Sequence, residues 1–343
     1  VEELPNNSRN PFDLVFTLGG VTEVPLSNRD LSQDKGERGE SLTGTTPEEA
    51  GTFSLSGGAA YSNNITIDGL DNNDDRAATF RFQPTLDSVA EVQVITNQFS
   101  AEYGRASGGR VNLRTRGGTK NFRGRVSYFF EDESLNANTW RNNSRINPFG
   151  LKNRIPARQN HVPVFSFGGP IPLGYFKNRT FFFAAYEYQN VLEDTIIDTF
   201  VPVGQNSRIP LPSPTLASGQ VCENINNPAA CTGAQPTAAF IATYLEAVPT
   251  PLQNHSLSAL IDHNFTDTHN FTFGFQFGKR QDFRQFSGGS RLAEALVGNS
   301  RDTQGYSLTD NFVFSSKAVN QFRFQYSTLT PAIISDTELT NPV

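Results

Sequence analysis

Phenylalanine recurs at every second position in the segment NFTFGFQFGK, which spans residues 270–279. Phe271, Phe273, Phe275 and Phe277 alternate there with Thr, Gly and Gln, so that one face of an extended chain is aromatic and the other is small or polar. Side chains of a β-strand point alternately to opposite faces, whereas a helix would distribute these residues around its axis. The segment therefore predicts a two-faced strand, and an aromatic outer face with a small, polar inner face is typical of a membrane β-barrel.

The same alternation recurs along the chain from residue 122 onward. In FRGRVSYFFE one face carries Phe122, Gly124, Val126, Tyr128 and Phe130, and the other carries Arg123, Arg125, Ser127, Phe129 and Glu131. Further candidates are 162–168, 180–188, 257–265, 305–314 and 320–329, the last with Phe322, Phe324 and Tyr326 opposite Gln321, Arg323 and Gln325. The pattern predicts about seven strands, with Phe129 pointing inward.

The connections between these strands alternate between long and short. Residues 132–161, 189–256 and 279–304 are long connections, whereas 169–179, 266–268 and 315–319 are short. Outer-membrane barrels have short periplasmic turns and longer extracellular loops, while a soluble β-sandwich has no reason to sort its loops in this way. The alternation favours a barrel over the alternative, a soluble all-β domain whose phenylalanine rows pack a core.

Composition excludes two classes of protein. The net charge of −6 and the pI near 5.3 exclude a nucleic-acid partner, because phosphate binding needs a clustered excess of Lys and Arg. The mean hydropathy is −0.42, and no run approaches the roughly 18 apolar residues of a transmembrane helix. The chain contains no Met and opens with no signal-peptide pattern, so we expect a fragment or a mature segment.

Residues 1–118 have a different character, with short apolar runs separated by Gly-rich turns. The runs NITID, EVQVIT and RVNLRT predict strands, and TLDSVAEV predicts a brief helical stretch, so we expect a small mixed α/β unit. The piece GRASGGRV has the glycine spacing of a phosphate-binding loop. However, Arg110 and Val111 occupy the positions that need Lys and Ser or Thr, so the phosphate loop is rejected.

The stretch NNITIDGLDNNDDR, residues 63–76, resembles a calcium loop because Asp71, Asn73 and Asp75 alternate. Counting from Asp71, Arg76 stands where the loop needs Gly, and Phe82 stands where it needs a bidentate Glu. The stretch is better interpreted as a strand ending at Gly69 followed by a solvated Asp/Asn turn. An adventitious cation site there stays open as the alternative.

Cys222 and Cys231 lie in CENINNPAAC, within a polar, Pro-rich stretch. A local disulfide fits this spacing and would contribute about 2 to 3 kcal/mol in an oxidising compartment such as the periplasm or cell surface. Two unpaired thiols are the alternative, because spacing alone does not establish bond geometry.

Catalytic and metal-binding signals are weak throughout the chain. The four histidines, His161, His255, His263 and His269, have no metalloprotease spacing, and we find no Ser or Cys nucleophile motif with a credible base. His263 and His269 bracket a short turn and are expected to be solvated or interfacial. We therefore expect no enzyme activity, no cofactor and no metal site.

The segment LDSVAEVQVITNQFSAEYGRASGGRVNLRTRGGTKNFRG closely resembles the second half of the plug domain of TonB-dependent outer-membrane receptors, continuing into their first barrel strand. The residues that match the family motif, including its gating segment, are Asp68, Gly69, Tyr103, Gly104, Arg105, Gly108, Gly109 and Asn112. The opening LPNNSRNPFDLVFTLGGV, together with VFSFGGPI and RTFFFAAYEYQ, is similar to the Oar-like branch.

This resemblance implies a plug domain at residues 1–118 and the N-terminal part of a β-barrel at 119–343. The fold class would be a mixed α/β plug followed by antiparallel transmembrane β-barrel strands. About seven strands cannot close a lumen that needs about 22, so the resemblance implies a truncated barrel. Arg110 departs from the family pattern, which usually has a small or apolar residue at that position.

The resemblance also implies a function. We expect an importer in the bacterial outer membrane, with its plug toward the periplasm, its long loops extracellular and lipid around the barrel. An inner-membrane energy-coupling protein of the TonB type would drive uptake of a substrate that the sequence does not identify. In the family the arginine matching Arg105 locks the plug to barrel carboxylates. The alternative is a surface adhesion or structural β protein without transport.

Overall fold

The computed structural model describes residues 9–23, 53–59, 62–74, 79–96, 104, 106–137, 157–203, 221–222, 231–232, 240–285 and 297–335. In the N-terminal part the strands are β1 (Val21–Glu23), β2 (Phe53–Leu55), β3 (Asn63–Ile67), β4 (Leu70–Asp71), β5 (Asn73–Asp74), β6 (Thr79–Phe80), β7 (Val89–Ile95) and β8 (Gly109–Thr115). Two 3-10 helices accompany them, Pro11–Thr17 and Leu86–Ser88. We call residues 9–118, as far as they are described, the N-terminal unit.

The main sheet of the N-terminal unit has the order β4-β3-β8-β7. β3 and β8 are parallel, whereas β4 and β7 add antiparallel strands at the edges. β1 pairs with β2, and β5 pairs with β6. Buried apolar side chains from the first 3-10 helix and from these strands form one core: Phe12, Val15, Phe53, Leu55, Ile65, Ile67, Phe82, Val89, Val111 and Leu113.

The helical content predicted for this unit is smaller in the structure. The stretch TLDSVAEV forms a single 3-10 turn, Leu86–Ser88, capped by the Thr85 side chain, and β7 begins at Val89. The alternating valines that follow favour an extended strand over a helix. Among the described residues the unit is therefore a mixed parallel and antiparallel sheet with 3-10 turns, and the expected α-helix is not seen.

The remainder of the chain forms long antiparallel strands. They are β9 (Arg123–Asp132), β10 (Arg158–Pro170), β11 (Thr180–Val203), β12 (Val221–Cys222), β13 (Cys231–Thr232), β14 (Phe240–Pro249), β15 (Leu252–Thr266), β16 (His269–Gln285), β17 (Val297–Ser315) and β18 (Ala318–Ser335). Short 3-10 turns occupy Glu133–Leu135 and Gly174–Phe176. The large sheet contains 8 strands in the order β18-β17-β16-β15-β11-β10-β9, with β14 also paired to β11, and β12 and β13 form a separate pair.

All seven predicted strands are confirmed, but the segment 189–256 was wrongly interpreted as loop throughout. β11 continues to Val203, and β14 pairs with this extension from Asp194 opposite Pro249 to Val203 opposite Phe240. β15 pairs with the first half of β11, so β14 and β15 lie end to end along this one strand. The segment lacks a simple alternation of apolar and polar residues, and its strands form because pairing satisfies the backbone hydrogen bonds.

The short turns are confirmed at residues 267–268 and 316–317. The long connections are shorter than predicted because the strands extend into them, with β16 ending at Gln285 and β17 beginning at Val297. At about 3.3 Å per residue, β11 is far longer than the roughly ten residues that cross a bilayer. β16, β17 and β18, with 17, 19 and 18 residues, also exceed that length, whereas β9 has 10.

The predicted aromatic face is exposed on β9 and β18, whereas Phe271, Phe273, Phe275 and Phe277 on β16 are half-buried. Phe322, Phe324 and Tyr326 on β18 are 54%, 54% and 57% exposed, and Val126 and Tyr128 on β9 are also exposed. Among the described residues, no helix has the length and apolar character needed to span a membrane.

The four histidines each have a polar partner within 2.8 Å, which is a tyrosine, a threonine or an aspartate. The pairs are Tyr128–His161, Tyr186–His255, Thr180–His263 and His269–Asp310. His263 is only 7% exposed and contacts the rings of Phe176 and Phe265. Of the two expectations for His263, solvated or interfacial, the solvated one is wrong, because aromatic neighbours cover this side chain.

Candidate functional site: the contact between the N-terminal unit and the large sheet

The N-terminal unit packs against one face of the large sheet, which we call the inner face. β10 lies close to the 3-10 helix Leu86–Ser88 of the unit. Further contacts of the unit involve Arg125 and Phe129 on β9, Glu187 on β11, Ser256 on β15, Gly278 on β16, Arg301 and Thr303 on β17, and Gln325 and Ser327 on β18. These residues occupy the alternate positions opposite the exposed aromatic rows. The sheet therefore curves around the unit and keeps its aromatic face outward.

Small inner-face residues allow this close approach. A Cβ atom added to Gly278 would lie 3.2 Å from the ring of Phe82, a buried core residue of the N-terminal unit. Ser256 Oγ donates a hydrogen bond of 2.8 Å to the Gln83 carbonyl. The small and polar face predicted from alternation thus has a specific use, since it accommodates the segment that follows β6.

The motif residues Asp68, Gly69 and Asn112 are brought together at the turn between β3 and β4. Asp68 and Gly69 have φ values of +52° and +80°, which lie in the left-handed region that favours Gly and tolerates Asp. Asn112 Oδ1, on β8, accepts hydrogen bonds from Thr66 Oγ1 at 2.8 Å and from the Gly69 amide at 3.0 Å. One amide side chain therefore holds the turn against the neighbouring parallel strand.

Asp68 makes a second connection between the same two strands. Its carboxylate accepts hydrogen bonds from the Thr115 amide at 2.8 Å and from Thr115 Oγ1 at 2.6 Å. Burial raises the pKa of Asp68 above its ordinary value, and the two bonds from Thr115 oppose that shift. The turn is thus attached to the middle of β8, at Asn112, and to its C-terminal end, at Thr115.

Gly108 and Gly109 lie where neighbouring segments of the N-terminal unit approach closely. A Cβ on Gly108 would meet Ser62 Oγ at 2.6 Å, and one on Gly109 would meet Leu55 Cδ1 at 2.6 Å. Gly104 contributes its carbonyl, which accepts a hydrogen bond of 3.0 Å from Asn64 Nδ2.

Tyr103 and Arg105, the remaining motif residues, lie outside the described residues. The role that the family resemblance implies for Arg105 therefore stays a prediction.

Carboxylates of the acidic stretch form ion pairs with arginines. Asp74, whose side chain is 4% exposed, accepts a hydrogen bond of 2.8 Å from Arg301 Nη2 on β17. Asp71 pairs with Arg81 at 2.9 Å, and its carbonyl accepts a bond of 2.8 Å from Gln325 on β18. The stretch therefore lies against the inner face, and the interpretation as a solvated turn is wrong for Asp74.

A second charged contact involves Arg9, at the other side of the unit. Arg9 Nε donates to Glu187 Oε2 on β11 at 2.9 Å, and its Nη2 pairs with Asp87. The guanidinium lies over the Phe129 ring, 4.3 Å from the centroid, and Arg125 on β9 approaches Asp87 to 3.7 Å. We call these five residues the Arg9 cluster.

The predicted inward orientation of Phe129 is confirmed by its contact with Arg9. Sequence reasoning missed the charged members Arg9, Asp87 and Glu187. A signal exists for Glu187, since it is the acidic residue at an inner-face position of the apolar run TFFFAAYEYQ. Asp87 and Arg9 have no such signal, because neither lies in an alternating run that would mark its charge as unusual.

The two cysteines occupy opposed positions of a short antiparallel pair. Cys222 on β12 is the register partner of Cys231 on β13. Opposed residues of antiparallel strands have Cα separations of about 4.5 to 5.5 Å, within the range of a disulfide. The backbone geometry is compatible with the predicted bond, which stays a prediction.

A long antiparallel sheet with an aromatic outer face and a polar inner face is typical of the wall of an outer-membrane β-barrel. Comparison with known families agrees. Residues 114–342 match the family model described as outer membrane beta barrel domain. The chain is 33% identical over 73 residues to the TonB-dependent transporter Oar of Myxococcus xanthus, a match that covers 21% of this chain and 7% of Oar.

Among solved structures, the outer membrane transporter YddB of Escherichia coli is similar at a TM-score of 0.60 and 12% identity. The match covers 98% of this chain and 38% of YddB. Because that family model covers about two thirds of the sequence, this chain belongs to the outer-membrane β-barrel domain family. It is a protein of the bacterial outer membrane.

Proposed function

We propose that the chain supplies the plug and the first wall strands of an importer that carries a substrate across the outer membrane. The plug corresponds to residues 1–118 and the wall to residues 119–343. A TonB-type inner-membrane protein would energise the plug, and the long connections would face the cell exterior. The match to a barrel model from residue 114 supports this division.

The observation that carries the proposal is the position of the N-terminal unit on the inner face. Strands across the described sheet contact it through residues at alternate positions, and several contacts are charged, including Arg301–Asp74 and Arg9–Glu187. A unit that only braced a surface protein would have no need of ion pairs that can open, whereas a plug must be held and later released. A buried ion pair adds little net stability, but removing one partner is costly because the other charge is left unpaired. Such pairs suit a contact that must be either fully formed or fully released.

The test compares two deletion strains of the source bacterium, one without this protein and one without the TonB-type protein. We expect compounds that the parent depletes from its medium to remain in the medium of both strains. The alternative function, surface adhesion or structure without transport, predicts a different outcome. In that case the first deletion would change surface attachment while depletion of the medium continued as in the parent.

Arg105 provides a test of plug locking. If it pairs with barrel carboxylates, Arg105→Ala leaves a carboxylate unpaired at a cost of about 3 to 5 kcal/mol, and the plug loosens. The complete protein in planar bilayers should then change from closed to transiently conducting, or should open at lower urea concentration. Glu102→Ala serves as the control. Unchanged conductance and urea threshold in an inserted Arg105→Ala protein would contradict the lock.

A further inference from the structure

Two charged contacts hold the N-terminal unit to the inner face, and they lie at different points along its chain. The Arg9 cluster attaches the beginning of the unit to β9 and β11. The Arg301–Asp74 pair attaches the acidic stretch to β17, on the same face but nearer the opposite edge of the sheet. The sheet order places β15 and β16 between β11 and β17. The two contacts therefore share no residues and attach the unit at separate places.

Arg9 connects three parts of the molecule with one side chain. Its guanidinium reaches Asp87 in the N-terminal unit and Glu187 in the wall, and it stacks over Phe129. The side chains of Arg9, Asp87 and Glu187 are 12%, 6% and 8% exposed. The planar guanidinium can pair with two carboxylates along its edge while its face lies on a ring, whereas the ammonium of a lysine has three donors but no planar face to stack.

The backbone of Arg9 is also in an unusual state. Its φ of +54° lies in the left-handed region, which a non-Gly residue adopts at a cost when surrounding contacts impose it. The side-chain bonds of Arg9 provide such contacts. Once they break, the backbone is free to return to the extended region, so that opening of the cluster favours further extension of this segment.

Arg9 precedes the structural core of the unit along the chain. It comes directly before Asn10, which caps the 3-10 helix Pro11–Thr17, and that helix carries the core residues Phe12 and Val15. A force applied to the chain on the N-terminal side of Arg9 reaches the Arg9 bonds before it reaches Phe12. Asp74 lies much later, behind β1 to β4, and is not loaded until those strands separate.

We propose that the Arg9 cluster is a latch that must open first, and that the Arg301–Asp74 pair is released only later, so that the plug leaves the wall in a fixed order. This inference rests on the proposed function, in which the plug is pulled from the periplasmic side. Arg9 is then a positioning residue of the closed state. Its side chain transmits a pull on the preceding chain to the wall.

The experiment pulls the complete protein in a lipid bilayer by its N-terminal end with a force probe. We expect the parent to show a first rupture before the core unfolds, and Arg9→Gln and Glu187→Gln each to lose it. Arg9→Lys should lower the first rupture force without abolishing it. Arg301→Gln should leave the first rupture unchanged and lower a later one.

Arg114→Gln is the matched control, since the Arg114 side chain is 72% exposed and lies 4.0 Å from Glu91. It should leave every rupture as in the parent. A persistent later rupture in Arg9→Gln shows that this variant is folded. The latch is overturned if folded Arg9→Gln keeps the first rupture of the parent, or if Arg301→Gln alters the first rupture.

The force measurement and the uptake test fail separately. Suppose that the first rupture depends on Arg9, but that deletion of the protein leaves depletion of the medium unchanged. This result supports the latch and contradicts the importer function. TonB-dependent depletion together with a first rupture that is insensitive to Arg9 and Glu187 supports the importer and overturns the latch.

Discussion

Asn112→Leu tests whether the motif asparagine holds the β3–β4 turn. Leucine has a similar size but offers no acceptor, so the substitution removes two hydrogen bonds at once. The Gly69 amide loses its 3.0 Å bond to Asn112 Oδ1, and Thr66 Oγ1 loses its 2.8 Å bond to the same atom.

The expected cost follows from what replaces each bond. Thr66 is 4% exposed, but its hydroxyl has a second acceptor, the Val111 carbonyl at 3.4 Å, so its loss should cost about 1 kcal/mol. A Gly69 amide left without this acceptor should cost about 1 to 3 kcal/mol. The sum, roughly 2 to 4 kcal/mol, corresponds to a 30-fold to nearly 1000-fold change in an equilibrium constant.

Amide hydrogen exchange in the complete protein in lipid measures this effect. The amides of β3 and of Gly69 should exchange faster by about that factor in Asn112→Leu, while those of β16 stay protected. Gln93→Leu is the matched control, because Gln93 is an exposed amide side chain on β7 and the register partner of Asn112. Exchange at Gly69 within threefold of the parent would refute the role of Asn112.

Three further outcomes are expected. Burial raises the pKa of Asp68 above its ordinary value of 3.8. The stability that this group contributes is therefore present below pH 3.8 and is lost as the pH rises through the raised pKa. Asp68→Asn should flatten that decline in urea midpoints measured from pH 4 to 8. Gly109→Ala should destabilise the N-terminal unit by about 1 to 3 kcal/mol in urea titrations, since its Cβ would lie 2.8 Å from Leu55 Cβ, and an unchanged midpoint would contradict this packing. Mass spectrometry of non-reduced peptides from exported protein should find Cys222 bonded to Cys231, and recovery of two alkylatable thiols would exclude the bond.

The strands of the wall were predictable because alternation is a local property. Phe322, Phe324 and Tyr326 alternate with polar residues in the sequence, and the structure exposes these three side chains. The extension of β11 and its pairing with β14 were not predictable, since these segments lack that alternation and depend on each other for backbone hydrogen bonds.

The motif of the N-terminal unit was predictable as residues but not as contacts. The sequence singled out Asp68, Gly69 and Asn112, and Gly69 was expected to end a strand. Only the parallel pairing of β3 with β8 brings Asn112 beside that turn. The same holds for Gly109. That this position has no room for a Cβ atom is evident only from Leu55, which lies against it in the structure.

The sequence by itself determined the two faces of the wall strands and the local turns, because both depend on neighbours within a few positions. Tertiary structure decided which charges hold the unit to the wall. Arg9 meets Asp87 and Glu187 across 78 and 178 positions, and Arg301 meets Asp74 across 227. No local pattern specifies such partners, since an ion pair depends on where the order and curvature of the strands bring two distant side chains together.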